Sequence, residues 1–224
     1  MKPMTEQHLS ILRRHMVEII DMHLDLASDD LGKVDLAPDL RRALLDVPRH
    51  LFVPQQLAAM AYQDSPQPIG FSKTLSQPFM SALMIDLLDL EPGQRVLEVG
   101  TGLGYQAAVM AEMGAEVFSV EVVEEFAEAA QSRFAALGYD VAVRVGDGTR
   151  GWAEHSPFDA VLVTAAASEP PAELLAQLEV SGRMVIPLGS GDVQQLSVVE
   201  KLADGSVDKT PMMLVRFTRL ETAG

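Results

Sequence analysis

The residues Glu98-Val99-Gly100-Thr101-Gly102-Leu103-Gly104 combine one carboxylate with three glycines at alternate positions. They continue the short apolar run Arg95-Val96-Leu97 and lead into a helix-forming segment at 106–113. A buried strand, a tight turn and a helix start make the βα unit that holds nucleotides at the carboxyl end of a parallel sheet. Glycine suits such a turn because a side chain would hold a ligand away from the backbone N–H groups, and because the turn needs unusual dihedrals. A dinucleotide fingerprint is spaced G-x-G-x-x-G and rests a pyrophosphate on the helix N-terminus. Here the spacing is G-x-G-x-G, and Glu98, two residues earlier, would repel a pyrophosphate while attracting a cationic aminoacyl end. The pattern therefore matches S-adenosyl-L-methionine, which carries an ammonium and a sulfonium and no phosphate. Glu98, Gly100, Gly102 and Gly104 are the expected cofactor residues, against the plainer alternative of an ordinary glycine-rich turn.

Further positions extend this reading. Glu121 follows the next apolar run, where a doubly wound sheet receives a ribose whose hydroxyls donate to a carboxylate. The alternative is a solvated acid beside Glu124 and Glu125. Asp147, within Gly146-Asp147-Gly148, is placed to accept from an adenine amino group, or is a plain turn aspartate. Thr164, followed by three alanines, would line the floor of the site.

These residues need a sheet to hold them. Apolar runs at 116–120, 141–145, 160–164 and 184–187 alternate with helical patterns at 123–137 and 172–178. Residues 195–202 and 213–220, around an Asp204-Gly205 turn, read as a hairpin with no helix between. The expected fold is α/β: a Rossmann-like, doubly wound, mostly parallel sheet of five βα units closed by a C-terminal antiparallel hairpin. Upstream, residues 5–27 read as a helix with a heptad-like stripe of Leu9, Leu12, Met16, Ile19, His23 and Leu26. An acidic turn follows at 28–33, then helices at 38–45 and 79–88, separated by a proline-rich irregular stretch long enough to be functional. Residues 1–46 are read as an N-terminal helical extension packed on the core. Residues 47–224 are read as the catalytic domain, including a loop at 62–78.

The 224-residue chain is long enough for one sizeable domain, and 48% hydrophobic residues exclude a disordered one. A net charge of −15 without a Lys/Arg block argues against nucleic acid as a partner. No apolar run approaches the roughly 18 residues of a membrane span, and the first residues lack a signal peptide's apolar core, so a cytoplasmic protein is expected. Cysteine is absent, which removes disulfides, a thiol nucleophile and thiolate metal ligands. His8, His15 and His23 form no i, i+4 pair, and no metal site is expected. A helix with so few heptads more often packs within its own domain than seams two chains, so a monomer or weak homodimer is expected.

Several segments together resemble the protein-L-isoaspartate O-methyltransferase family. They are Val47-Pro48-Arg49-His50-Leu51-Phe52-Val53-Pro54, Tyr62-Gln63-Asp64-Ser65-Pro66, Ile69-Gly70-Phe71, Thr74-Leu75-Ser76-Gln77-Pro78, the glycine turn, Gly146-Asp147-Gly148 with Gly151-Trp152, Pro157-Phe158-Asp159-Ala160, and residues 182–189. They run collinearly over 47–220, and the Ser76 loop is far more specific than the glycine motif. The resemblance implies a class I methyltransferase fold and transfer of a methyl group from S-adenosyl-L-methionine to the α-carboxylate of L-isoaspartyl residues in damaged proteins and peptides. The ester then closes to a succinimide unaided, and hydrolysis returns some normal aspartate. It implies Ser76 as the active-site residue, with Ile69, Lys73, Thr74 and Leu75 in the loop that meets cofactor and substrate, and Gln194 near the cofactor. The chain departs from the family pattern in a longer region around 28–36 and in Lys73, where glutamine or alanine is usual. Two other readings stand beside repair: a carboxyl methyltransferase dedicated to one peptide, and an inactive adaptor that keeps the cofactor fold.

A carboxylate is already ionised at neutral pH, so the reaction needs no general base, and the Ser76 loop has none adjacent. Ser76 is therefore read as a hydrogen-bond donor orienting the substrate, or merely as the cap of the following helix.

Overall fold

The computed structural model of the protein describes residues 5–222. Helix α1 (Glu6–Leu26) starts where the Thr5 hydroxyl accepts the His8 N–H and the His8 ring returns the bond to the Thr5 N–H. Its buried face is Leu9, Met16, Val17, Ile20 and Leu24, while Leu26 is exposed. The expected stripe thus drifts off the core towards its C-terminal end. A stripe counted in heptads falls behind a straight helix of 3.6 residues per turn. The expected acidic turn forms one helical turn, α2 (Ser28–Leu31), ended by Gly32 at φ 66°. Helix α3 (Pro38–Asp46) has proline in its first turn.

The proline-rich stretch is more ordered than a loop. After 3₁₀ turns at Arg49–Leu51 and Gln55–Met60, β1 (Gln67–Gly70) pairs antiparallel with β2 (Lys73–Leu75). Phe71 and Ser72 form the tip, both at positive φ, and the Phe71 ring packs edge-on against Phe126. Strands this short carry no readable period, and Pro66 and Pro68 signal a loop. Helix α4 (Pro78–Asp86) follows, with Met80 its only residue that is not buried.

The remaining strands are β3 (Arg95–Val99), β4 (Glu116–Glu121), β5 (Val141–Val145), β6 (Phe158–Val163), β7 (Leu178–Leu188), β8 (Gln194–Lys201) and β9 (Val207–Val215). Helices α5 (Tyr105–Glu112), α6 (Glu124–Leu137) and α7 (Ala172–Gln177) connect them. Between β5 and β6 the crossover holds only two 3₁₀ turns, Gly148–Arg150 and Ala153–His155. The sheet order is β5-β4-β3-β6-β7-β8-β9, parallel from β5 to β7, with β7–β8 and β8–β9 antiparallel. Strand order reverses between β3 and β6, the crevice where doubly wound sheets bind ligands. Alternation along β3 sends Val96 to the face covered by α1, α3, α4 and α5. Leu97 and Val99 go to the face covered by α7 and the β5–β6 crossover.

The last strand differs from expectation, ending at Val215 instead of beginning at 213. Residues 216–221 instead cross the carboxyl end of β6, where the Ala166 N–H donates to Thr218 and the Ala166 carbonyl accepts from Leu220, both at 2.8 Å. Apolar alternation continues past the ladder and cannot itself name a pairing partner.

Candidate active site

The three glycines meet three different neighbours. Gly100 has φ 96°, and a Cβ there would stand 2.3 Å from the Thr164 hydroxyl oxygen. That hydroxyl lies 3.0 Å from the carbonyls of both Val99 and Gly100, locking β6 to the turn. Gly104 has φ 95° and is approached by the Phe134 ring, so it serves the packing of α5 against α6. Gly102 opens towards Ile69 of the β1–β2 ribbon. Gly100 and Gly102 line a pocket with Glu121, Val122, Phe126, Gly148 and Thr164. Ile69, Lys73 and Thr74 of the ribbon and residues 218–221 of the C-terminal segment close it over.

At the end of β4, the Glu121 carboxylate accepts the Gly102 N–H at 2.7 Å and the Val123 N–H at 3.0 Å. Glu98 lies beneath the turn, 1% exposed, and not on the pocket lining. Burial first, then the charge of Glu121, pushes its carboxyl up to about 8, against the hydrogen bond donated by Ser119 at 2.5 Å. The Ser119 hydroxyl in turn meets Thr101 of the turn at 2.5 Å. Asp147 accepts from the N–H and hydroxyl of Thr149 and stands behind the lining, to which its neighbour Gly148 contributes.

A cleft adjoins this pocket. It is lined by Ser76, Phe79, Met80, Val193, Met213, Leu214 and Phe217, and Arg216 is its only charged residue among those described. Thr74, Thr164 and Thr218 belong to both linings and mark the passage between them. Among the described residues no hydrogen bond engages the Ser76 hydroxyl, and Ser76 is not a helix cap. The N-cap of α4 is Gln77, which makes no side-chain cap bond. The Phe79 N–H is instead received at 2.8 Å by Asp64, whose other oxygen pairs with His23 at 2.9 Å.

Five expected site residues lie off both linings: Glu98, Gly104 and Asp147, and with them Leu75 and Gln194. Leu75 is buried in the core. Gln194 accepts the Phe217 N–H at 2.8 Å and donates to the Gly191 carbonyl at 2.6 Å, bracing the C-terminal segment outside both linings. Sequence reasoning missed Val122, Phe126 and Thr218. Val122 follows Glu121 directly and Phe126 lies in the first turn of the helix after it, so both were discoverable from Glu121; Thr218 had no signal. Lys73 forms an ion pair with Glu221 at 2.6 Å, joining the ribbon to the C-terminal segment across the pocket. Among the described residues no group of three His, Asp or Glu side chains is arranged to hold a metal ion, and no helix is long and apolar enough to cross a membrane.

The sequence model of one family, protein-L-isoaspartate(D-aspartate) O-methyltransferase, matches residues 32–223. Protein-L-isoaspartate O-methyltransferase 1 of Polaromonas sp. is 47% identical over 221 residues, 98% of this chain and 94% of that protein. A namesake numbered 2 from the same organism is 48% identical over 207 residues, 92% and 98% of the two chains. A solved protein-L-isoaspartate O-methyltransferase superposes with TM-score 0.80 at 29% identity over 95% of this chain, which spans 66% of its length. A Plasmodium falciparum chain assigned as a beta-aspartate methyltransferase, solved with S-adenosyl-L-homocysteine, gives TM-score 0.74 at 25% identity over 92% and 98% of the two chains.

Proposed function

This chain belongs to the protein-L-isoaspartate(D-aspartate) O-methyltransferase family, and from that premise we propose how its residues divide the work. It is an S-adenosyl-L-methionine-dependent enzyme that methylates the α-carboxylate of L-isoaspartyl residues in proteins and peptides. The pocket suits that cofactor. Two backbone-bound carboxylate oxygens of Glu121 offer acceptors for ribose hydroxyls, Val122 and Phe126 offer an apolar wall for adenine, and Gly100 and Gly102 leave the backbone uncovered. When bound, S-adenosyl-L-methionine supplies an electrophilic methyl group on a sulfonium.

The cleft takes the peptide. The observation that carries this reading is the threonine passage of Thr74, Thr164 and Thr218, which joins the pocket to a cleft containing Ser76. The Ser76 hydroxyl, with no competing bond, donates to one oxygen of the incoming carboxylate and leaves the other to face the passage. Arg216 gives an anionic group its one complementary charge on the cleft lining. Phe79, Met80 and Phe217 keep water from the reacting oxygen, so neutralisation of opposite charges proceeds in an apolar setting. Alignment of this kind supplies roughly 7–11 kcal/mol in well-oriented reactions. The lack of cysteine and the few heptads of α1, too few to seam two chains strongly, support a cytoplasmic monomer or weak homodimer acting in repair.

The test is methyl transfer to matched L-isoaspartyl and L-aspartyl peptides. Only the first is esterified, and Ser76→Ala slows it while leaving S-adenosyl-L-homocysteine binding unchanged. Full turnover by Ser76→Ala would remove Ser76 from the site.

A further inference from the structure

Arg49 is the bulkiest of the fully buried side chains, and among the described residues no ion pair neutralises it. Its planar fork reaches two carbonyls instead. Nε donates to Ala61 at 2.8 Å and Nη2 to Ser76 at 2.6 Å. Ala61 immediately precedes the loop that carries the β1–β2 ribbon, and Ser76 immediately follows that ribbon, so one guanidinium holds both ends of the segment. Its plane also lies over the Tyr105 ring, with Cζ 4.5 Å from the ring centre. Tyr105 is the first residue of α5, directly after Gly104 of the cofactor turn.

Packing alone does not account for a cation here. Apolar side chains of similar volume usually serve as well or better at a buried charged position. What an apolar residue cannot do is fix two carbonyls at a set angle, and lysine, with a point charge in place of a fork, does so poorly. The three contacts join the two halves of the site: the loop end in the peptide cleft and the helix that begins at the cofactor turn.

We propose that Arg49 is a positioning residue for methyl transfer, setting the place of Ser76 relative to the cofactor turn by gripping both ends of the substrate loop. It touches neither substrate nor cofactor. The inference rests on the reading of Ser76 as the group that orients the carboxylate.

The experiment compares Arg49→Lys, Ser76→Ala and the double variant in the full chain. It measures kcat and KM for an L-isoaspartyl peptide and, by calorimetry, the Kd of S-adenosyl-L-homocysteine. Displacements on the ångström scale cost up to about a hundredfold in rate, so Arg49→Lys is expected to lose between ~10- and ~100-fold in kcat. Its Kd for S-adenosyl-L-homocysteine stays within about twofold of the parent, since the pocket lining is untouched. The double variant turns over no more slowly than Ser76→Ala alone, because no hydroxyl remains to misplace. Arg49→Met, which removes both donors, loses at least as much kcat as Arg49→Lys. A slow Ser76→Ala to which Arg49→Lys adds its full factor would overturn the role of Arg49 while leaving Ser76 in place. A Ser76→Ala with parental turnover would sink both. Loss of S-adenosyl-L-homocysteine binding in both Arg49 variants would assign the residue to folding and overturn the proposal.

Discussion

Glu98 shows how burial changes what a motif residue does. As a sequence element it is a carboxylate beside a cationic ligand; in the structure it is enclosed beneath the turn, and its carboxyl is pushed up to about 8. The unfolded chain releases that proton near the ordinary value of about 4.3. Between those values the folded protein holds a proton that the unfolded chain has lost, so Glu98 makes stability fall as pH rises through the window. Glu98→Gln removes this dependence. Its stability relative to the parent is expected to rise from about pH 5 to about pH 8 by a few kcal/mol and to level off above. Urea unfolding of both proteins across that range measures it, and parallel curves would show that Glu98 ionises normally in the fold. The glycines divide in the same residue-level way. Gly104, equivalent to Gly100 in the motif, is required by the Phe134 ring and not by the pocket.

At the scale of elements, two contacts govern how the ribbon and α4 frame the site. Asp64 caps α4 from outside the helix and ties it to α1 through His23. Removing a side-chain cap costs about 0.5–2 kcal/mol, so Asp64→Ala lowers the thermal midpoint accordingly, and it reduces turnover because Ser76 lies two residues before α4. Asp64→Asn keeps an acceptor and restores most of both; unchanged melting in Asp64→Ala would place the cap elsewhere. The second contact is Lys73 with Glu221. The pair joins the ribbon to the C-terminal segment on the rim of the cofactor pocket, so breaking it is expected to loosen that rim. Exposed ion pairs contribute about 0.2–1 kcal/mol, and the Glu221 side chain is 55% exposed. Glu221→Gln is therefore expected to raise the dissociation rate of S-adenosyl-L-homocysteine by no more than about fivefold, an effect that fades in high salt and is measured by stopped-flow displacement.

Over the whole molecule, a charge of −15 acts on every anionic substrate that approaches. Raising ionic strength from ~10 to ~150 mM shortens the screening length from about 30 to about 8 Å. KM for a net-negative isoaspartyl peptide should fall over that range while KM for a net-positive one rises, in a matched pair of steady-state series. Equal slopes for the two would show that only the cleft's local charge matters. The fold itself was legible because its signals are local: apolar runs broken by glycine at β3, a carboxylate at the end of β4, the Asp204-Gly205 turn before β9. The site was half legible for the same reason. Residue types and spacing along the chain named the glycine turn, Glu121, Thr164 and the Ser76 loop. They could not show that the C-terminal segment crosses β6 to bring Thr218 into the passage, that Gln194 and Leu75 face away, or that Asp64, and not Ser76, caps α4. Those outcomes depend on contacts between residues far apart in sequence. Backbone pairing and burial are settled by which surfaces meet, and only the folded chain specifies that.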